Sequence, residues 1–216
     1  IFMHDVLNKL LLINNEIQEK NSKTKIIAVT KTFPLNAVLP LINYGHIDYG
    51  ENKVQEATEK WTTIKQDFTQ IKLHMIGKLQ TNKVRQALPL FDYIHSLDSF
   101  KLAKKIHDEQ IKLNKELNLF IQINIGNEDQ KSGINPEDLE EFYQKCKNEL
   151  KLKIIGLMCI PPNESDVDFY FNKMNKLLKI TGLTELSMGM SNDYIKAVEY
   201  NSSFIRIGSK IFGNRS

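Results

Sequence analysis

The sequence predicts an α/β fold, a single (β/α)8 barrel of the TIM type with an extra helix at its N-terminus. Three observations predict it. Short apolar runs of strand character alternate with helical patterns along the chain, which implies parallel strands joined by helical crossovers. Eight such runs occur, the number that closes a barrel. The chain has 216 residues, inside the roughly 200 to 250 at which one α/β barrel is routine. A doubly wound open sheet is the competing arrangement. It wants a glycine-rich turn after the first strand, and the turn here reads TKTFP. No repeat, low-complexity tract or Pro/Gly-rich linker divides the chain, so residues 1–216 read as one domain.

Each element has its own signal. Val6, Leu10, Ile13 and Ile17 recur at helical spacing and give the leading amphipathic helix. Ile26–Thr30 is a β-branched run suited to a buried strand, and a helix opened by Pro34 runs to about Tyr44. Ile47–Gly50 forms the second strand, followed by a polar helix from Glu51 to about Trp61. Lys72–Gly77 precedes a helix from about Thr81 to Leu88, and Tyr93–Leu97 precedes one beginning near Ser99. Leu119–Ile125 leads through a loop to a helix at Pro136, the favoured first helical position. Ile154–Met158 is followed by a helix near Asp166–Lys179, Glu185–Gly189 by one over Asn192–Tyr200, and Phe204–Gly208 closes the series.

Composition excludes several classes. With 41% hydrophobic and 25% charged residues and a net charge of +3, the chain reads as a folded soluble protein rather than a disordered one. The pI is about 8.7, but lysines alternate with acidic residues and no like-charge block suggests nucleic acid. No apolar run approaches the roughly 18 residues of a membrane span. Ile1–Lys20 carries Asn, Lys and Glu within its apolar pattern and has no small-residue cleavage site, so it does not read as a signal peptide. Cys146 and Cys159 are too few for a disulfide framework or zinc cluster and fit a reducing, cytoplasmic compartment. The five histidines show no metal-ligand spacing, and no G-x-S-x-G elbow is present. No metal is expected.

Reactive groups of a barrel belong at the C-terminal ends of its strands. Here those positions hold Lys31, Glu51 with Asn52, Gly77, Ser96, Asn124, Met158, Met188–Ser191 and Arg206–Ser209. An ammonium at an apolar barrel mouth loses hydration, which favours a nucleophilic amine able to form a Schiff base; Lys31 reads either so or as one more surface lysine. Only three of the 29 basic residues are arginines, and one of them, Arg206, sits inside the apolar run FIRIG. A buried guanidinium must find acceptors, in a ligand or in a neighbouring carboxylate. Ser191, where a strand gives way to a helix, is placed for N-capping, and Gly208 with Ser209 precede a helical turn. Loops after the seventh and eighth strands are the common phosphate site of this fold, although Gly-Ser pairs are also ordinary turns. His74 reads as a hydrogen-bonded core residue. Methionines 158, 188 and 190 read as packing residues that could also wall a flat ring.

At these residues the sequence resembles the pyridoxal phosphate homeostasis protein family, whose fold is similar to the alanine racemase N-terminal domain. AVTKT around Lys31, YGENKVQE at Tyr49–Glu56, HMIGKLQTNKVR at His74–Arg85 and QINIGNEDQKSG at Gln122–Gly133 carry it, with GLMCIP at Gly156–Pro161, LSMGMSND at Leu186–Asp193 and IRIGSKIFGNR at Ile205–Arg215. The resemblance implies pyridoxal 5′-phosphate held as a Schiff base on Lys31, phosphate contacts from Ser191, Gly208 and Ser209, Arg206 facing the ring nitrogen, and Asn52 and Met158 lining the pocket. Phe33 stands where a basic residue is frequent and Tyr49 where phenylalanine is frequent; these departures concern the pocket rim. An arginine at the ring nitrogen disfavours its protonation and so weakens the ring as an electron sink. The barrel's racemase relatives add a β-rich second domain, for which no residues follow Ser216. The expectation is therefore vitamin B6 homeostasis without catalytic turnover. The alternatives are an amino-acid racemase or lyase using the same cofactor, and a Schiff-base aldolase. Expected partners are pyridoxal phosphate and the enzymes that depend on it, with no nucleic acid and no membrane, as a monomer or weak dimer.

Overall fold

The computed structural model describes residues 2–20, 23–128, 132–162 and 166–213. Helix α1 (Phe2–Gln18) comes first, then β1 (Lys25–Val29), α2 (Leu35–Tyr44), β2 (Asp48–Glu51), α3 (Val54–Trp61), a single turn α4 (Ile64–Asp67) and β3 (Lys72–Met75). A 3-10 turn at Thr81–Lys83 runs into α5 (Val84–Ala87), followed by β4 (Tyr93–Leu97), α6 (Phe100–Leu113) and β5 (Asn118–Ile123). Another 3-10 turn, Pro136–Asp138, opens α7 (Leu139–Leu150), and β6 (Ile154–Cys159), α8 (Val167–Thr181), β7 (Glu185–Ser187), α9 (Tyr194–Glu199), β8 (Phe204–Ile207) and α10 (Ser209–Phe212) complete the order.

The eight strands are parallel and close in sequence order, with β8 pairing back onto β1 from Lys25↔Phe204 to Ala28↔Ile207. This is the predicted barrel, and the open sheet is excluded. Strands buried on both faces read as continuous apolar runs, which is why they were legible without a period of two. Most apolar side chains fill the layer between sheet and helices. A smaller cluster, Ile27, Phe120, Met158 and Phe204, plugs the barrel interior.

Element ends follow local chemistry. Ser99 and Asp166 cap α6 and α8 by accepting from the amides of Leu102 and Phe169. The polar helix after the second strand begins at Val54 rather than Glu51, because Glu51 completes β2 and its carboxylate is consumed inside. The helix predicted from Asn192 begins at Tyr194, since residues 191–193 form the turn that leads in. Among the described residues, no helix is long and apolar enough to cross a membrane.

Candidate functional site

The C-terminal ends of the strands surround a cavity of about 690 Å³, within the usual range for a cofactor pocket. Six of the seven sequence-predicted residues line it: Lys31, Asn52, Ser191, Arg206, Gly208 and Ser209. Met158 does not. Its side chain is fully buried in the interior cluster with Ile27, Phe120 and Phe204, so it packs the barrel beneath the cavity. Residues from the following loop, Ile160, Pro161 and Pro162, supply the wall instead.

Lys31 is set by the residues around it. The turn after β1 closes with the Phe33 amide donating to the Thr30 carbonyl at 3.1 Å. Thr32 takes the left-handed conformation with φ of 67°, an uncommon and strained state for a β-branched residue. Its amide donates to Glu56 Oε1. Lys60 Nζ then ties the turn to α3, donating to the Thr30 carbonyl at 2.7 Å, Glu51 Oε1 at 2.9 Å and Glu56 Oε1 at 3.3 Å. Glu51 is fully buried and its Oε1 also accepts from Thr30 Oγ1 and Trp61 Nε1. The motif GENKVQE is therefore largely a scaffold for the lysine turn, with Asn52 as its cavity residue. Sequence reasoning missed this role. The signal was present in the spacing of Glu56 and Lys60, one helical turn apart.

Asn52 is held by a close backbone approach: a Cβ at Gly77 would lie 2.4 Å from the Asn52 carbonyl oxygen, so only glycine fits there. Two other strand-end residues serve the framework. Asn124 bonds the backbone of Glu128 through both ends of its amide, and Ser96 is fully buried. Residues 129–131 of the Gln122–Gly133 motif and residues 214 and 215 of the last one lie outside the described residues.

The two loops expected to hold phosphate meet. Ser191 is no N-cap: its Oγ accepts from the Lys210 amide at 3.3 Å, joining the loop after β7 to the turn after β8. Asp193 makes the local turn by accepting from the Met190 amide at 2.6 Å. Gly189 has φ of 93° and its missing Cβ would lie 2.4 Å from Ala197 Cβ, so this glycine is required for packing. Gly208 differs. Its φ is −115°, and a Cβ there would meet Val29 at an ordinary 3.5 Å. Packing within the chain does not demand glycine at that point of the wall.

Arg206 is buried to 5% exposure. It donates to Ser187 Oγ at 2.8 Å and to the Cys159 carbonyl at 2.9 Å. Among the described residues no carboxylate lies within ion-pair distance, so the structural ion pair considered from sequence is not what holds it. Desolvation pushes its pKa below the ordinary guanidinium value. Burial pushes the Cys159 thiol up to about 12, so this neighbour is no nucleophile at neutral pH. Phe33 stacks on Phe212 at 4.9 Å between ring centres and lines the cavity, whereas Tyr49 lies away from the rim, buried against Trp61.

Comparison with known proteins agrees with this fold. Residues 12–216 match the family described as alanine racemase, N-terminal domain. The pyridoxal phosphate homeostasis protein of Aquifex aeolicus is 37% identical over 200 residues, covering 88% of this chain and 87% of the relative. This chain belongs to the pyridoxal phosphate homeostasis protein family. PipY of Synechococcus elongatus has the same structure, with a TM-score of 0.88 at 31% identity for the form without PLP, over 96% of this chain and all of the other. The PipY structure with PLP bound gives a TM-score of 0.85 at 30% identity, with the same coverage of each chain. Within the family, then, one member of this fold has been seen holding the cofactor.

Proposed function

We propose that this protein binds pyridoxal 5′-phosphate reversibly, as a Schiff base on Lys31, and serves intracellular vitamin B6 homeostasis without catalytic turnover. The observation that carries this reading is a buried arginine with no carboxylate partner within reach among the described residues, in the wall of a cavity that also contains a lysine and two serine-bearing loops. The donor set fits the group. Lys31 supplies the amine, Ser191, Gly208 and Ser209 the phosphate cup, and Arg206 the partner of the ring nitrogen, with Asn52 on the wall. When bound, the cofactor supplies an aldehyde and an electron-accepting ring.

The chain's residues define what happens to it. The Lys31 amine condenses with the aldehyde and one water leaves; the reverse hydrolysis releases both intact, so attachment is storage rather than consumption. Arg206 keeps a cation where the ring nitrogen would take a proton, and like charges disfavour that protonation. The ring is then a weak electron sink. Phe33, Ile76, Ile160, Pro161, Pro162 and Val167 also line the cavity and carry no titratable group, and Asp193, the carboxylate on the wall, accepts from the Met190 amide. The released aldehyde is available to pyridoxal-phosphate-dependent enzymes, the recipients this reading names.

The test is the absorption spectrum of purified protein between roughly 300 and 500 nm, before and after borohydride, with the modified peptide located by mass spectrometry. A band near roughly 420 nm that borohydride abolishes, with the phosphopyridoxyl mass on Lys31, is expected. A colourless protein that takes up no added cofactor returns the reading to a Schiff-base aldolase. The family's racemase-derived description favours a second reading, an amino-acid racemase or lyase. Chiral chromatography of L-amino acids incubated with loaded protein decides it. Turnover above free cofactor that is lost in Lys31→Ala would establish the enzyme.

A further inference from the structure

The interior of the barrel beneath the cavity is not purely apolar. His74 on β3, His95 on β4, Ser187 on β7 and Arg206 on β8 are all buried, and they form one chain of hydrogen bonds. Arg206 Nη1 meets Ser187 Oγ at 2.8 Å, Ser187 Oγ meets His95 Nδ1 at 2.8 Å, His95 Nε2 meets His74 Nδ1 at 2.9 Å, and His74 Nε2 meets Asp48 Oδ1 at 2.9 Å. Asp48 opens β2, at the opposite end of the barrel from the cavity, and its side chain is 15% exposed.

With both imidazoles neutral, the two ends fix every proton between them. A guanidinium only donates and a carboxylate only accepts. Ser187 Oγ therefore accepts from Arg206 and gives its own hydrogen to His95 Nδ1. His95 must then carry its hydrogen on Nε2 and donate to His74 Nδ1, and His74 must carry its hydrogen on Nε2 and donate to Asp48. Both imidazoles are neutral in this arrangement, and each nitrogen is satisfied once. Stacking fixes the ring planes, His74 on Tyr93 at 4.2 Å and His95 on Phe120 at 4.4 Å, with Phe204 against both.

We propose that Asp48, His74, His95 and Ser187 are positioning residues for Arg206, a one-directional relay that orients its guanidinium toward the cofactor and is anchored on a carboxylate at the far end of the barrel. This rests on the reading of Arg206 as the partner of the ring nitrogen. Charge facing the relay comes from Asp48, Asp92 and Lys25 near His74, from Arg206 near His95, and from Asp193 near Arg206 on the cavity side. Burial holds both imidazoles below their ordinary range, His95 well below it, in keeping with the neutral chain. A proton added to His74 Nδ1 would confront the hydrogen on His95 Nε2. The second ring would then have to reverse its tautomer, and Ser187 would lose the acceptor for its hydroxyl.

The experiment has two arms. In cofactor-free protein labelled with ¹⁵N-histidine, long-range proton–nitrogen spectra at neutral pH should show His74 and His95 both neutral with hydrogen on Nε2, assigned by single His→Gln variants. A Nδ1–H tautomer or an imidazolium at either position overturns the relay. In the second arm, Ser187→Ala is loaded with pyridoxal 5′-phosphate. It should bind at least about fivefold more weakly and titrate spectroscopically at a different pH, while Ser187→Thr restores the wild-type profile. Asp48→Asn keeps an acceptor for His74 and removes only the charge, so it should bind and show a smaller shift in the same titration. Wild-type spectra across pH in both Ser187→Ala and Asp48→Asn overturn the proposal. Failure of the wild-type protein to take up the cofactor overturns the functional reading instead, and the first arm still judges the relay.

Discussion

Two buried charges stand at the tops of strands on opposite sides of the lysine turn, and they are held in opposite ways. Glu51 ends β2 with its carboxylate fully buried, and Lys60 lies 2.9 Å away with only 8% of its side chain exposed. Thr30 and Trp61 donate to the same oxygen. Among the described residues, Arg206 in β8 has only neutral hydrogen-bond acceptors, a hydroxyl and a backbone carbonyl. Taking a charge out of water costs several kcal/mol even after relaxation, and a paired opposite charge offsets that cost. The Glu51 cluster is thus charge-paired, with Oε2 left without a hydrogen-bond partner in the described structure, and belongs to folding. The Arg206 site is open on its cavity side and, on the proposed reading, belongs to binding.

That contrast is broken most decisively by truncating both residues. Glu51→Ala strips Lys60 of its nearer, fully buried partner and leaves Glu56 at 3.3 Å, and urea unfolding should show a loss of about 3 kcal/mol, the low end for a broken buried pair. Arg206→Met removes a buried cation that has no carboxylate partner in the described structure, and its cofactor-free stability should stay within about 1 kcal/mol of wild type. Equal losses in the two variants would erase the distinction.

The next effect in size is acid sensitivity. Burial lowers the pKa values of His46, His74 and His95. The unfolded chain, with histidines near about 6.5, therefore binds protons that the folded state refuses. Stability is full above that value and is lost as the pH falls toward the depressed folded values, by about 1.4 kcal/mol per unit for each histidine. Urea midpoints at pH 8, 7, 6 and 5.5 measure it, and a flat profile would count against neutral buried rings.

Smaller effects sharpen the binding side. Ser209→Asp places negative charge against the proposed phosphate position and should weaken uptake of pyridoxal phosphate at least about tenfold, read by fluorescence or absorbance titration. Equal affinity would remove Ser209 from the cup. Tyr49 tests the framework side. Its hydroxyl is buried with no hydrogen-bond partner in the described structure, so Tyr49→Phe should gain about 1 kcal/mol in thermal unfolding without altering uptake.

The fold was legible because parallel barrel strands are covered on both faces and announce themselves as apolar runs between helical patterns. Lys31 and Arg206 were legible for a related reason: a long basic side chain at the end of an apolar run, or inside one, must answer for its burial. Met158 misled because a strand end cannot be located to the residue from sequence. β6 continues through Cys159, which leaves Met158 one level too deep. Ser191 misled because its partner, the Lys210 amide, arrives from another loop. The histidine chain was out of reach altogether. His74 and His95 stand 21 positions apart, and Ser187 lies 92 beyond His95. Only the closing of the barrel brings them within hydrogen-bond distance.

That closing has a kinetic meaning. Strand β1 cannot complete its pairing until Phe204–Ile207 arrives beside it, and helix α1 packs across the same seam against α2, α9 and α10. There Tyr194 donates to Glu16, and Lys20 reaches Glu199 at 2.6 Å. Joining segments so distant along the chain adds loop-closure entropy to the cost and delays the step. Until it is taken, the sheet keeps two open edges and the Lys31 turn after β1 stands apart from Arg206 on β8. The cofactor pocket is therefore among the last features to form, and cofactor uptake during refolding reports the moment the ring shuts.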